Sequence, residues 1–435
     1  NPMWAFIWFG RQVDTRLLKQ TIHNADGSQY NWNNIWNNNP YYLARENRNQ
    51  DDRDRVMGNA SLSYDLTSWL TGTLRAGTDW FSESRRQQYG QGLYSMQVDV
   101  GDNGGLGVDN IFRQETNADF LLRAQLPSIG GLDVEADFGG ARRDNRYRGD
   151  GVWIRELAIP GTYSYTNWID PPTPWDYRER QAVNSLYGQA RFNYRDFAFL
   201  DLSGRNDWSS TLPPENNSYF YPAVSGSLVF SELTQLPLLS FGRLRAGWTR
   251  VGNDAPPYQL IDPYNFDVPF GSAPRLTASN VLRNANLKPE QTRSWEVGTE
   301  LRFLSDRLGI NATYYDKATT NQIVDLVISP MTGFTSRYVN AGRISGSGVE
   351  LTLDATPLRY ANGFEWEVTA NYSRDRSYVD ELYGDMETMQ LDRYYNVSVE
   401  ARKGERYGAV YGRKYVRDSQ GNIVVNAAGV PINAT

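Results

Sequence analysis

"SWEVGTELRF", residues 294–303, sets apolar and charged side chains in strict turn. Trp295, Val297, Leu301 and Phe303 fall on one side of a two-residue period, and Glu296, Glu300 and Arg302 on the other, which is the signature of a β-strand with two unlike faces. The pattern continues through "SDR" into "LGINATYYDK" and recurs in pairs along the chain. "NASLSYDL" (59–66) precedes "LTGTLRAGTDWF", "ADFLLRAQL" (118–126) precedes "LDVEADF", and "LYGQARFNY" runs into "RDFAFLDLSGRND". "GVELTLDATPL" turns through "RYANG" into "FEWEVTANYS". There Val349 and Leu351 alternate with Glu350, and Trp366 and Val368 alternate with Glu365, Glu367 and Asn371. Each pair reads as a hairpin with turn residues where the chain reverses.

Between hairpins lie longer segments, roughly 85–112, 147–180, 253–288 and 321–341, rich in Gly, Asn, Asp, Pro, Trp and Tyr. Short turns alternating with long loops are the rhythm of a transmembrane β-barrel, whose strands of about 10 residues carry apolar residues outward and polar ones inward. A soluble sandwich, the rival reading, places comparable connections at both ends of its sheets. About twelve strands are expected, starting near 53, 69, 113, 132, 181, 197, 219, 241, 290, 307, 343 and 363. No helical period is visible beyond a short turn in "SELTQLPLLS".

Composition narrows the chemistry. The 435 residues carry 44 Lys plus Arg against 50 Asp plus Glu, a net charge of -6, which argues against a nucleic-acid binder working through a basic surface. Arg123, Arg191 and Arg245 sit singly in strands. With no cysteine and His23 as the sole histidine, a Cys nucleophile, a thiolate metal site, a multi-His zinc site and a His-based triad are hard to build. No run approaches the roughly 18 apolar residues of a membrane helix, and the opening "NPMWAFIWFG" lacks the layout of a signal peptide.

The charged face decides where water lies. A guanidinium or ammonium at the bilayer midplane costs roughly 2 to 4 kcal/mol, and a carboxylate somewhat less, so Glu296, Glu300, Arg302, Glu350, Glu365, Glu367 and Asn371 are expected to face an aqueous lumen. Trp295, Val297, Leu301, Phe303, Val349, Leu351, Trp366 and Val368 are then expected to face lipid. Trp69, Trp80, Tyr314 and Tyr372, near strand ends, suit interfacial girdles. A wet bore implies many strands, because an eight-stranded barrel has room only for packed side chains or one small ligand.

Three stretches carry a family resemblance: "NLKPEQTRSWEVGTELRFLSDRLGINATYYDKATTNQI" (286–323), "TGFTSRYVNAGRISGSGVELTLDATPL" (332–358) and "FEWEVTANYSRDRSYVDEL" (364–382). Their order and spacing, with "GAVYGRKYVRDSQGNIV" after them, resemble the barrel of the SusC/RagA class of TonB-dependent outer-membrane transporters. The resemblance implies an all-β, antiparallel barrel of the 22-strand type in the bacterial outer membrane, importing oligosaccharides or peptides. It further implies energy delivered through the TonB complex and a SusD-like surface lipoprotein as a lid. Residues 1–435 are then expected to be part of such a barrel, contributing wall and external loops, with the plug domain, TonB box and last strands outside this stretch. Gly342, Gly346 and Gly348 suit a bulge or close backbone approach, and Gly421 in "DSQGN" (418–422) a turn with positive φ.

Within 151–180, Trp153, Tyr163, Tyr165, Trp168, Trp175 and Tyr177 are candidate substrate contacts, because aromatic rings stack on sugar faces and support peptides; self-packing of an external loop is the alternative. "NWNNIWNNNPYY" (31–42) has similar character. "DNGGLGVDN" (102–110) lacks EF-hand spacing and reads as a flexible external loop. Glu365 and Glu367 share a face by strand geometry and need no acid–base role. No enzyme activity, metal or cofactor is implied. A passive porin-like barrel and a soluble secreted carbohydrate-binding β protein remain as alternative functions.

Overall fold

The structure, a computed structural model, describes residues 3, 6–33, 35, 37–94, 99–234 and 236–433. Among the described residues, the short helices α1 (Thr15–Gln20) and α2 (Pro40–Glu46) precede the strands. Asn39 caps α2, its side-chain oxygen accepting from the Tyr41 backbone N–H at 3.0 Å, and Pro40 opens the first turn. Helices under two turns long show no periodic signal, so only this Asn-Pro pair could have announced α2. Among the described residues, no helix is long and apolar enough to cross a membrane.

The strands are β1 (Arg48–Asp65), β2 (Leu70–Tyr89), β3 (Gly105–Ile129), β4 (Leu132–Ile154), β5 (Thr173–Tyr194), β6 (Ala198–Ser209), β7 (Ser218–Val229), β8 (Leu239–Asn253) and β9 (Tyr264–Phe270). There follow β10 (Ala273–Ala278), β11 (Val281–Leu282), β12 (Glu290–Phe303), β13 (Leu308–Val327), β14 (Ser336–Arg359), β15 (Glu365–Glu381), β16 (Thr388–Tyr394), β17 (Val397–Arg402) and β18 (Ala409–Gly412). The main sheet has thirteen strands in the order β1-β2-β3-β4-β5-β6-β7-β8-β12-β13-β14-β11, with β15 also paired to β14. Short turns force sequential strands to pair antiparallel. In the β12–β13 turn, Leu304, Ser305 and Asp306 all take positive φ.

Several strands start earlier than alternation suggests. β1, β3, β5 and β14 begin at Arg48, Gly105, Thr173 and Ser336, rather than near 53, 113, 181 and 343. Beyond an apolar band both faces become polar, so the period-two signal vanishes while backbone pairing continues. The segments expected as long loops therefore shrink. In 102–110 only the turn through Gly104, at φ 81, is loop, and β3 starts at Gly105 with Leu106 and Val108 buried. The connection at 253–288 carries its own hairpin, β9–β10, and β16–β17–β18 form a separate three-stranded sheet.

The chain divides into two compact units. Unit 1 comprises 1–61, 75–118 and 143–181. Its buried clusters are Leu106, Val108, Ile154 and Leu157, and Tyr42, Leu93 and Val100. Unit 2 comprises 62–74, 119–142 and 182–435. Leu212, Tyr219, Ala255 and Leu287 form one of its clusters, and Leu326, Val339 and Ala341 another. These residues gather at strand ends and loop bases. Mid-strand apolar residues stay open instead: Trp295 is 40% exposed, Val297 45%, Val349 41% and Trp366 51%.

Candidate functional site: a sheet with one charged face

Register in unit 2 sets the two faces residue by residue. One row runs Arg191, Asp201, Ser225, Gly247, Glu296, Tyr315, Gly348, Asp375 from β5 to β15. Glu300 follows on the same face opposite Arg243 and Asn311, then Arg302 opposite Gly309. Glu350 opposes Thr313 and Ser373, Asn371 opposes Thr352, and Glu365 opposes Arg359. Glu367 lies within the β14–β15 register shift between Ala355 and Leu358. The opposite face carries Trp295 against Trp248, Val297 against Ala246 and Tyr314, Leu301 against Ile310, and Phe303 against Leu308. Val349 opposes Tyr314 there, Leu351 opposes Tyr372, Val368 opposes Ala355 and Trp366 opposes Leu358.

Much of the charged face is paired within itself, while Glu296, Glu350 and Glu367 have no ion-pair or hydrogen-bond partner among the described residues. Glu300 accepts from Arg243 at 2.7 Å and from Arg302 at 2.8 Å. Asp137 accepts from Arg123 and from Arg191, both at 2.9 Å, and Arg191 also reaches Glu135. Arg205 donates to Asp207 at 2.8 Å, and the Tyr221 hydroxyl donates to the same carboxylate. Tyr315 donates to Asp375 at 2.9 Å, with Lys317 3.6 Å from that carboxylate. Asp137 and Asp207 are buried, so their partners replace lost water. Arg123 and Arg191, isolated in sequence, meet only because β3, β4 and β5 are neighbours. Single residues scattered over three strands leave no linear signal of such a cluster.

In unit 1 the six candidate aromatics separate. Trp153 ends β4, packs edge-on against Tyr89 at 5.5 Å, and donates to the Asp99 carbonyl at 3.2 Å. Tyr163 is half-buried, its hydroxyl donates to the Tyr89 carbonyl at 3.2 Å, and its own carbonyl accepts from Arg86 at 2.6 Å. Burial pushes the Tyr163 phenol above its ordinary pKa. Trp175 and Tyr177 belong to β5 rather than to a loop, and Trp175 donates to Asp109 at 3.1 Å. Tyr165 and Trp168 alone stand in the connection with much of their surface open, 54% and 40%. Of the stretch 31–42, Asn34 and Trp36 lie outside the described residues.

A polar cleft of about 330 Å³ in unit 1 is lined by Asp79, Phe81, Arg113, Glu115, Asn145, Tyr147 and Glu179, among others. Arg55 holds Asp79 at 2.6 Å, and the Arg113 guanidinium lies 5.2 Å over the Tyr147 ring. Tyr177 packs on Tyr147 at 5.8 Å. Carboxylates, amides and guanidiniums beside rings can hydrogen-bond hydroxyls or peptide groups, without a nucleophile aligned on a base. Among the described residues, no group of three or more His, Asp or Glu side chains is placed to hold a metal ion.

Comparisons with known proteins agree with this layout. The profile of the family described as "TonB dependent receptor-like, beta-barrel" matches residues 9–425. A TonB-dependent receptor of Formosa agariphila is 25% identical over 403 residues, which is 87% of this chain and 39% of that protein. The TonB-dependent receptor SusC of Bacteroides thetaiotaomicron is 23% identical over 269 residues, 58% of this chain and 27% of that protein. The RagAB peptide importer in its closed-closed state superposes with a TM-score of 0.76 at 17% identity, over 92% of this chain and 44% of the other. The chain thus spans about two fifths of the length of the first of these relatives.

Proposed function

We propose that this chain, which belongs to the TonB-dependent receptor-like β-barrel family of the bacterial outer membrane, forms wall and external loops of an active importer of SusC/RagA type. The cargo is a bulky polar nutrient, an oligosaccharide or a peptide. The TonB complex drives uptake, a SusD-like surface lipoprotein covers the entrance, and outer-membrane lipid surrounds the wall. The observation that carries this reading is a sheet whose aromatic and aliphatic face lies open while its other face carries the charged residues, many of them paired with one another. Soluble proteins rarely leave so large an apolar surface uncovered, and a membrane-spanning sheet needs one. On this reading Glu296, Glu300, Arg302, Glu350, Glu365, Glu367 and Asn371 line water, and Trp295, Val297, Leu301, Phe303, Val349, Leu351, Trp366 and Val368 meet lipid. The cleft around Tyr147 and Glu179 is a place for cargo to rest.

Because these 435 residues have no cysteine, single cysteines placed in them report cleanly on the faces once any cysteine elsewhere in the complete protein is replaced. In the complete protein in outer-membrane vesicles, a water-soluble maleimide should label Glu296→Cys and Glu350→Cys at least about tenfold faster than Val297→Cys and Val349→Cys, since reagent access falls with partition into hydrocarbon. Equal labelling of both sets would remove the membrane assignment. Transport itself is tested by uptake of labelled glycan or peptide mixtures into cells with and without the gene. Uptake should stop when a protonophore is added. Continued uptake would instead indicate a passive porin.

A further inference from the structure

We propose that the apolar face of unit 2 holds one phosphorylated, acylated lipid of the outer leaflet, with an acyl chain along a groove over β6, β7, β8 and β12 and a phosphate between Arg250 and Arg293. The proposal rests on the reading of this face as lipid-exposed. The groove is shallow and open to the outside, offers about 890 Å³, and is lined almost wholly by apolar atoms. Ala198, Gly226 and Ala246 bring little or no side chain to it, while Leu244, Trp248 and Trp295 stand around them. A flat pleated face of uniform side chains would have no such recess; this one follows from small residues in adjacent strands.

The charges above the recess identify the head group. Trp295 and Trp248 are direct register partners, and two residues further from the periplasmic turn Arg293 and Arg250 are partners on the same face. Like charges directly opposite each other on a strand pair repel. Arg250 donates only to the Phe220 carbonyl, at 3.1 Å, and Arg293 has no ion-pair or hydrogen-bond partner among the described residues. Asp316, beside Trp295 on β13, pairs with neither. On the charged face, in contrast, Arg123, Arg205 and Arg243 each hold a carboxylate. Two guanidiniums without an acid are complementary to a phosphate, which accepts forked hydrogen bonds from both.

Height on the strand separates a lipid head group from other anions. From Phe303 to Trp295 the strand climbs roughly 26 Å at about 3.3 Å per residue. At a tilt of about 40° that is roughly 20 Å along the bilayer normal, near the top of an apolar band about 25 Å tall. The arginine pair therefore stands at head-group level, directly over the recess, which joins an acyl site to an anion site in one ligand.

The test uses the complete protein in detergent, titrated with diphosphorylated lipid A, with its enzymatically dephosphorylated form, and with inorganic phosphate, and read by native mass spectrometry. The phosphorylated lipid should bind about tenfold more tightly than the dephosphorylated one, the scale of one charge-assisted hydrogen-bonded contact. The Arg250→Gln, Arg293→Gln double variant should lose that preference. Gly226→Leu, whose new Cβ meets only the Phe199 carbonyl at 3.5 Å, should fill the recess and weaken both lipids alike. Displacement by equimolar inorganic phosphate, or a preference that survives loss of both arginines, overturns the proposal. If Val297→Cys is freely labelled from water, the membrane reading itself has failed. If it is protected and lipid preference still ignores the arginines, only the lipid site has failed.

Discussion

Replacing Val297 by arginine is expected to destabilise the inserted protein by about 2 to 4 kcal/mol, the measured scale for a cationic side chain near the midplane of a barrel's lipid face. On the proposed membrane placement Val297 lies close to that plane: from Phe303 the strand rises roughly 20 Å, or roughly 15 Å along the normal at a tilt of about 40°. Its neighbours across the ladders are Ala246 and Tyr314, neither of which offers a carboxylate. Glu296→Arg changes the next residue, which shares its face with Ser225, Gly247 and Tyr315, and should shift stability by no more than about 1 kcal/mol. The comparison is read as the urea midpoint of the complete protein refolded in vesicles. Equal midpoints for the two variants would mean that hydrocarbon does not touch Val297.

The second large effect belongs to Gly342. It takes φ 73, and a Cβ there would lie 2.8 Å from the Glu381 carbonyl oxygen, a backbone atom. The β14–β15 register shifts immediately afterwards, between Arg343 and Ile344, so this glycine starts an irregularity that neighbouring pairs depend on. Gly342→Val should cost about 1 to 2 kcal/mol for the left-handed backbone and about 1 to 3 kcal/mol more for the collision. Gly363→Ala isolates the first contribution, because Gly363 also has positive φ, 90, but no atom within 4 Å of its added Cβ. In the complete protein Gly342→Val should abolish heat-modifiable migration on gels at a temperature where Gly363→Ala retains it. If both variants migrate alike, backbone approach at Gly342 carries no weight.

How much of this was legible in the chain depends on what each signal measures. The alternation in 294–303 and its partners reports the mid-strand band, and there the reading gave hairpins, turns and an all-β antiparallel fold. It stopped where the band stops, which is why Gly105–Val108 and Thr173–Arg180 looked like loop although they are paired strand. Gly342 and Gly421 both have positive φ, as turn and bulge chemistry implied. Trp153 and Tyr163 could not be told from Tyr165 and Trp168 by composition, since only tertiary neighbours such as Tyr89 and Arg86 decide which ring is covered. The charge partners were beyond reach for the same reason. Arg123 and Arg191 are separated by a hairpin and a long connection, and both meet Asp137 only through strand order.

The grouping of Arg123 and Arg191 with Glu135 and Asp137, two charges of each sign, is self-neutralising, with a consequence for anything that passes it. Adjacent opposite charges sum to dipoles whose potential decays more steeply with distance than that of a monopole, and physiological salt damps the remainder within about 8 Å. On the proposed reading of this face as the wall of a water-filled bore, a passing solute meets a shallow electrostatic well there instead of a deep trap. Such a surface discriminates weakly by valence, leaving size and flexibility of the passenger to set its speed.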